Sequence, residues 1–432
     1  MWKNLQYYRQ ALGINMLWNA YPIVTVVRDG FGIGPSGSIT TLLFWIVGLF
    51  LLIPVNIFQR IYAPNRVLFF FWISFATLSA IYMVYYQTPF YNYKGDFVRE
   101  ILNYILPTVF LFGLLFYPSD KTNFLISTTA LFSLLASIGV LYIIFHDPTW
   151  NIGKRAAISF KSFGAGHEGN PHSFATNALR GFFSAIIIAY KSKRLWIKLL
   201  YTFCTLVALL VILLTRTNAA IISFIVAVLI YLVLNGRQLI IQSLKFKNLI
   251  FATIGLILLP FITSMFVDFT NMLGGVGGLV QKRLFSTIFT ATGLNLGTNL
   301  NSTPTTDYSS ANRISSFNYF RETFLDGSLQ TVLFGEGYKS TFLDVPILEA
   351  FINEGIFGFL IFGGFVLGLF IYIVREILLF SNHWNSFLAY SSLTILLGFF
   401  TAGRPVDTGN WLVYVVLIRF LGTYSVETKL KP

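Results

Sequence analysis

VLFFFWISFATLSAIYMVYY, residues 67–86, runs for a full helical span without one charged side chain and closes on the ring pair Tyr85 and Tyr86. Wound as a helix at about 1.5 Å per residue, such a run covers the roughly 30 Å hydrocarbon layer of a bilayer. Inside lipid each backbone N–H and C=O must find its partner within the segment, so an isolated stretch of this kind can only be helical. Tyrosine at its end suits the headgroup layer, where an amphipathic ring is half wetted. Comparable runs recur at 39–58, 98–117, 124–145, 173–190, 195–215, 218–234, 248–268, 346–374, 384–401 and 411–424. A weaker run, 11–27, carries Asn15, Asn19 and Pro22 and is read as the first span. The expectation is an all-α polytopic membrane protein of about 12 transmembrane helices.

Composition agrees. Apolar residues make up 55% of the chain and charged ones 11%, too few to clothe a soluble protein of 432 residues. The net charge of +13 would suit nucleic acid in a soluble chain, but here it speaks of orientation in a membrane. The lone cysteine, Cys204, sits inside an apolar run, so neither a disulfide framework nor a cysteine zinc site is available. Residues 1–10 lack a signal-peptide pattern, and the N-terminus is expected to be retained.

Loop charges test the span count independently. With twelve spans and both termini cytoplasmic, one set of segments holds fifteen Lys and Arg residues against three acids, Asp120, Glu376 and Glu427. The opposite set is nearly neutral, with thirteen basic and twelve acidic residues. Every strongly basic short loop falls on one side, and an odd number of spans would destroy that alternation. Two long segments then lie outside: a loop at 146–172 and a large external loop at 269–345 between spans 9 and 10. The second is too long for a plain connection and is expected to fold over the outer face. Within it, 272–289 suits an interfacial helix and 298–310, rich in Thr, Ser and Asn, a flexible stretch. The whole chain, 1–432, reads as one integral-membrane domain, with no internal repeat of the kind an inverted-repeat transporter would show.

Charges placed in spans are costly and are functional candidates by default. Arg180 lies about two helical turns below the outer end of its span, roughly 10 Å deep. It needs a polar cavity or a carboxylate such as Glu354. Arg419, near the cytoplasmic end of the last span, can snorkel to the headgroups. Arg216 opens a span within Thr215–Arg216–Thr217–Asn218, where its guanidinium and the free helix amides both favour an anion. Glu354, next to Gly355 and four residues before Gly358, suggests close helix packing beside a polar cavity, with Glu349 five residues higher on another face. Asp344 stands before Pro346, where an acid can also simply cap the helix. His167, Glu168 and His172 do not have the spacing of a helical zinc motif, and Gly169–Asn170–Pro171 interrupts any helix there, so no metal site is expected. There is no phosphate-binding loop, no Asp-x-Asp and no dinucleotide fingerprint.

Three stretches, in order, resemble the O-antigen polymerase and O-antigen ligase family of bacterial membrane glycosyltransferases. Leu213 to Ala220, LLTRTNAA, is similar to its Thr/Ser-Arg-small segment opening a helix. Ala311–Asn312–Arg313–Ile314, followed by LFGEGY at 333–338, is similar to its Arg-bearing external helix and Gly-x-Gly turn. Asp344, with NEGIFG at 353–358, is similar to its acid-Gly-x-x-Gly element. The likeness covers about Gly164 to Arg404. Ligases carry a His shortly before Glu-Gly-x-x-Gly, and Asp344 in that place favours the polymerase branch.

The resemblance implies polymerisation of undecaprenyl-diphosphate-linked repeat units into a surface polysaccharide, at the outer face of the bacterial inner membrane. It also implies no metal cofactor, a diphosphate clamp of Arg180, Arg216, Arg313 and, less centrally, Arg404, and a catalytic carboxylate drawn from Glu354, Asp344 and Glu168. Its partners would be lipid-linked glycan donor and acceptor, the bilayer, a flippase and a chain-length regulator, and not nucleic acid. Competing expectations are a ligase acting on lipid A core and a multi-pass transporter or flippase of lipid-linked glycans.

Overall fold

The computed structural model describes residues 2–35, 38–55, 60–86, 97–150, 154–158, 170–243, 308–379 and 381–423. Among them every regular element is a helix: α1 Trp2–Trp18, α2 Tyr21–Thr25 (running on into a π-helical turn, Val26–Gly30), α3 Ile39–Leu52, α4 Arg66–Tyr85, α5 Phe97–Leu114, α6 Thr122–His146, α7 Pro171–Lys191, α8 Leu195–Thr215, α9 Asn218–Ser243, α10 Tyr308–Asp326, α11 Leu329–Phe334, α12 Pro346–Leu379, α13 His383–Ser391, α14 Leu393–Gly398 and α15 Thr408–Phe420. Four of the described helices, α4, α6 with its preceding turn, α8 and α12, are long and apolar enough to cross a membrane. Shorter apolar helices lie at Ile39–Leu52, Glu100–Leu114, Asn218–Leu234 and Thr408–Phe420. The expected span at 248–268 and the interfacial helix at 272–289 lie outside the described residues, and α10 begins within the stretch read as flexible.

The surface is that of a protein solvated by lipid. On α8, Leu199, Phe203, Leu206 and Leu210 form one exposed stripe, while Cys204, Ala208, Val211 and Ile212 are buried on the other side. Leaving one such side chain uncovered in water forfeits about 1.5–3 kcal/mol, so a continuous stripe belongs against acyl chains. Helix α15 lies in the interior. From Trp411 to Phe420 every side chain of α15 is buried, which is what a helix apolar all round requires.

Three expected spans are broken, two of them at a proline and a glycine. The first bends after α1, because Pro22 has no N–H to give the carbonyl of Trp18 four residues earlier. Arg180 of α7 supplies the missing donor, its Nη1 lying 2.7 Å from the Trp18 oxygen. One residue on, the freed Asn19 carbonyl accepts from the Asn177 side chain at 2.7 Å. In α12 the helix is interrupted at Gly355, whose φ of 67° and ψ of −160° only glycine adopts readily. A Cβ there would sit 2.2 Å from the Leu333 oxygen. The carbonyls freed by that break, Ile352 and Asn353, accept from Glu336 N at 2.7 Å and Gly337 N at 3.1 Å. The LFGEGY and NEGIFG stretches are thus one packed unit, α11 against the first turns of α12. The run at 384–401 divides at Ser392 into α13 and α14.

Arg419 does not snorkel. It is fully buried and donates to the Leu114 and Tyr117 carbonyls, at 3.2 and 2.9 Å, and to Ser119 Oγ at 3.2 Å. A permanent cation at the C-terminus of α5 faces the negative end of that helix and satisfies carbonyls that have no helical partner.

Candidate functional site: a cationic cavity with an apolar wall

A cavity of about 610 Å³ opens among α7, α9, α10, α14, α15 and the residues leading into α12. Helix α7 presents His172, Thr176 and Arg180 to it, spaced four apart and so stacked on one face. Arg180 is 6% exposed and spans Trp18 and the cavity: besides the Trp18 carbonyl it donates to Asn19 Oδ1 at 3.2 Å, and it lies 4.5 Å from the Trp18 ring. Among the described residues it forms no ion pair, so Glu354 is not its partner. Asn19 in turn donates to Ser133 Oγ at 3.3 Å and receives Asn177 Nδ2, closing a polar lattice between α1, α6 and α7.

Arg216 ends α8 in the left-handed conformation, φ 49° and ψ 37°. For a residue with a Cβ this costs about 1–2 kcal/mol, and glycine is the usual occupant of such a cap. Retaining arginine here points to a use for the guanidinium. Thr217, Asn218, Ala219 and Ala220, the turn and first residues of α9, line the same cavity. So do Asn170 and Pro346, at the starts of α7 and α12, and Asp407, which caps α15 by accepting from Asn410 N at 2.9 Å. Four helix N-termini therefore converge on one space, and each carries partial positive charge.

Arg313 comes from α10, and Arg155 from a segment tied to the end of α8 by Ala156 N donating to the Leu214 carbonyl at 2.8 Å. Among the described residues of the lining, Arg155, Arg180, Arg216 and Arg313 stand with two carboxylates, Asp344 and Asp407, an excess of positive charge. The same cavity is lined by Ile222, Ile395, Leu397, Phe399, Val413 and Tyr414. Burial, then the guanidiniums of Arg155 and Arg313, push the His172 imidazole below its ordinary value of 6.5. The segments that supply these polar groups all belong to the set expected on the non-cytoplasmic side, although they lie far apart in sequence.

Of the expected clamp, the structure brings together Arg180, Arg216 and Arg313, and with them Asp344. Arg404 stands apart: its Nε is 3.2 Å from Glu349 Oε1, and its guanidinium lies over the Phe342 ring at 5.0 Å. Glu354 is 1% exposed and lies off the cavity, receiving Ser79 Oγ of α4 at 2.6 Å. It was expected beside a polar cavity; it packs against Ser79 of α4 instead. Glu168 lies outside the described residues. Sequence reasoning missed Arg155, Asn177, Asp407 and the use of Asn19. An asparagine inside a span is itself a signal, but which group it serves is set by the neighbouring helix.

A second polar cluster holds the α11–α12 loop. Glu100 Oε2 accepts from Lys339 Nζ and from the Tyr338 hydroxyl, both at 2.7 Å, and from Asn103 Nδ2 at 2.8 Å. Glu349 receives Leu343 N at 3.0 Å as well as Arg404, which fixes the backbone next to Asp344. Comparison with protein-family models and with curated proteins finds no match, so the function rests on this geometry and on the motifs.

Proposed function

We propose that the chain is a polysaccharide polymerase of the O-antigen or capsule type. It would transfer a glycan from undecaprenyl diphosphate to a sugar hydroxyl of another lipid-linked repeat unit, at the outer face of the bacterial inner membrane. The observation that carries this reading is the cavity's mixed chemistry: arginines from separate segments, Arg180, Arg216 and Arg313, line one space together with apolar side chains such as Ile222, Leu397 and Phe399. A polyprenyl diphosphate is an amphiphile of the same kind, with a dense anionic head on a hydrocarbon tail. Guanidinium groups bind phosphate oxygens with paired, permanently charged donors, and four helix N-termini add to the field.

The chemistry asks for stabilisation of a leaving diphosphate as its bond to the anomeric carbon lengthens. Donors fixed in place beforehand do this without reorganising, and deleting one such contact costs about 10²–10³ in rate. The fit supports the arginine clamp without Arg404, whose charge is engaged by Glu349. Among the described residues, Asp344 is the acid of the expected set that lines the cavity, where it can meet an acceptor hydroxyl.

The test is a reconstituted assay with lipid-linked repeat units, comparing wild type with Arg216→Ala and Arg180→Ala. Wild type is expected to lengthen the glycan, and both variants to lose elongation while inserting normally. Normal polymerisation by inserted variants would sink the clamp. Transfer only to lipid A core would make the protein a ligase, and movement of the lipid-linked unit without bond formation would make it a transporter.

A further inference from the structure

The proton of the acceptor hydroxyl must go somewhere, and the cavity offers a group that the sequence reading weighed only as a metal ligand. We infer that His172 is the proton acceptor of the transfer step; this rests on the polymerase reading above. His172 lies at the outer end of the α7 stripe, eight residues or about 12 Å from Arg180 along the axis. With the diphosphate held at the arginines, His172 faces the same space as the sugar that the diphosphate carries. Its side chain lines the cavity, and its backbone is fixed by Asn170 Oδ1 accepting from His172 N at 2.9 Å. Among the described residues nothing hydrogen-bonds its ring nitrogens, so the imidazole is uncommitted.

The step balances as follows. The acceptor oxygen bonds to the anomeric carbon. The bond from that carbon to the diphosphate breaks, and its electron pair leaves on undecaprenyl diphosphate. The hydroxyl proton passes to a ring nitrogen of His172, from which water later removes it.

The charged groups that line the cavity with the imidazole are Arg155 on the 154–158 segment, Arg313 on α10, Arg216, Arg180, Asp344 and Asp407. Burial, Arg155 and Arg313 disfavour the imidazolium. A bound diphosphate offsets those cations, so the same imidazole becomes a better base once substrate is in place. Basicity is thereby coupled to occupancy. Because kcat/KM reports the free enzyme and kcat the complex, the acid limb of kcat should lie at higher pH than that of kcat/KM.

The experiment uses the full chain in lipid nanodiscs and undecaprenyl diphosphate as probe. Binding is measured by calorimetry near pH 6 in two buffers of different ionisation heat, for wild type and His172→Gln. Wild type should take up more protons on binding than His172→Gln, which should keep its affinity within about threefold. With lipid-linked repeat units, His172→Gln should lower kcat by about 100-fold or more, as loss of a general base does, with KM little changed. Imidazole should restore part of the rate to His172→Ala. Equal proton uptake in wild type and variant, or unimpaired turnover by His172→Gln, would overturn the assignment. So would loss of turnover and of the acid limb in Asp344→Asn alone, which would give the proton to Asp344. Absence of any undecaprenyl diphosphate binding by wild type would instead remove the polymerase reading, and this inference with it.

Discussion

Replacing Arg180 by methionine, alone and in a Pro22→Ala background, asks whether the guanidinium stands in for the amide that Pro22 lacks. In the native chain Arg180 Nη1 donates to the Trp18 carbonyl at 2.7 Å and to Asn19 Oδ1 at 3.2 Å. A bond from a charged donor is worth about 1.5–3 kcal/mol, and a buried acceptor left alone costs about 1–3 kcal/mol. Relief of the guanidinium's burial works the other way, so Arg180→Met is expected to cost about 1–3 kcal/mol net. In Pro22→Ala the residue at 22 regains an N–H, which can reach the Trp18 carbonyl as an ordinary helical bond. The same Arg180→Met change should then cost about 1–2 kcal/mol less, a coupling well above the scatter of independent sites. The four proteins are unfolded by titration with a denaturing detergent, with tryptophan fluorescence and circular dichroism required to coincide before free energies are taken. Additivity within about 0.5 kcal/mol would refute the idea that Arg180 replaces the proline's missing donor.

Arg216→Gly should separate stability from function. It relieves a left-handed arginine, raising stability by about 1 kcal/mol in the same titration, yet it removes a clamp group and should abolish glycan elongation. Gly355→Ala should lower stability by more than about 3 kcal/mol, since its Cβ meets the Leu333 oxygen and its backbone cannot hold φ 67° without strain; normal folded yield and melting would contradict the α11–α12 packing. Arg404→Gln should lower stability by about 1–3 kcal/mol by stranding Glu349, while undecaprenyl diphosphate binds within a few-fold of wild type; a loss of affinity as large as that of Arg216→Ala would return Arg404 to the clamp.

Hydropathy alone makes the protein all-helical and membrane-embedded, because lipid leaves backbone groups no other way to pair. It also marks Arg180 and Arg216 as residues needing a reason, since a charge buried without a purpose would be costly. The same patterning misreads the ends of spans. The runs 11–27, 346–374 and 384–401 are each apolar enough to cross a bilayer, yet each is interrupted. Hydropathy sums side chains, whereas a break is a backbone event at Pro22 or Gly355. It survives only if a distant donor takes the freed carbonyls.

That division holds for the site as well. Residue type and position along each helix, which are properties of the sequence, brought Arg180, Arg216, Arg313 and Asp344 forward. Only the packing of α4, α7, α10, α11 and α12 decided that these four share one cavity while Glu354 is sealed against Ser79 and Arg404 is neutralised by Glu349. The stretch at 67–86 needs no partner to be a helix, since its hydrogen bonds are all local. A charged side chain has no local partner, and its role is settled by whichever remote group folding brings within 3 or 4 Å.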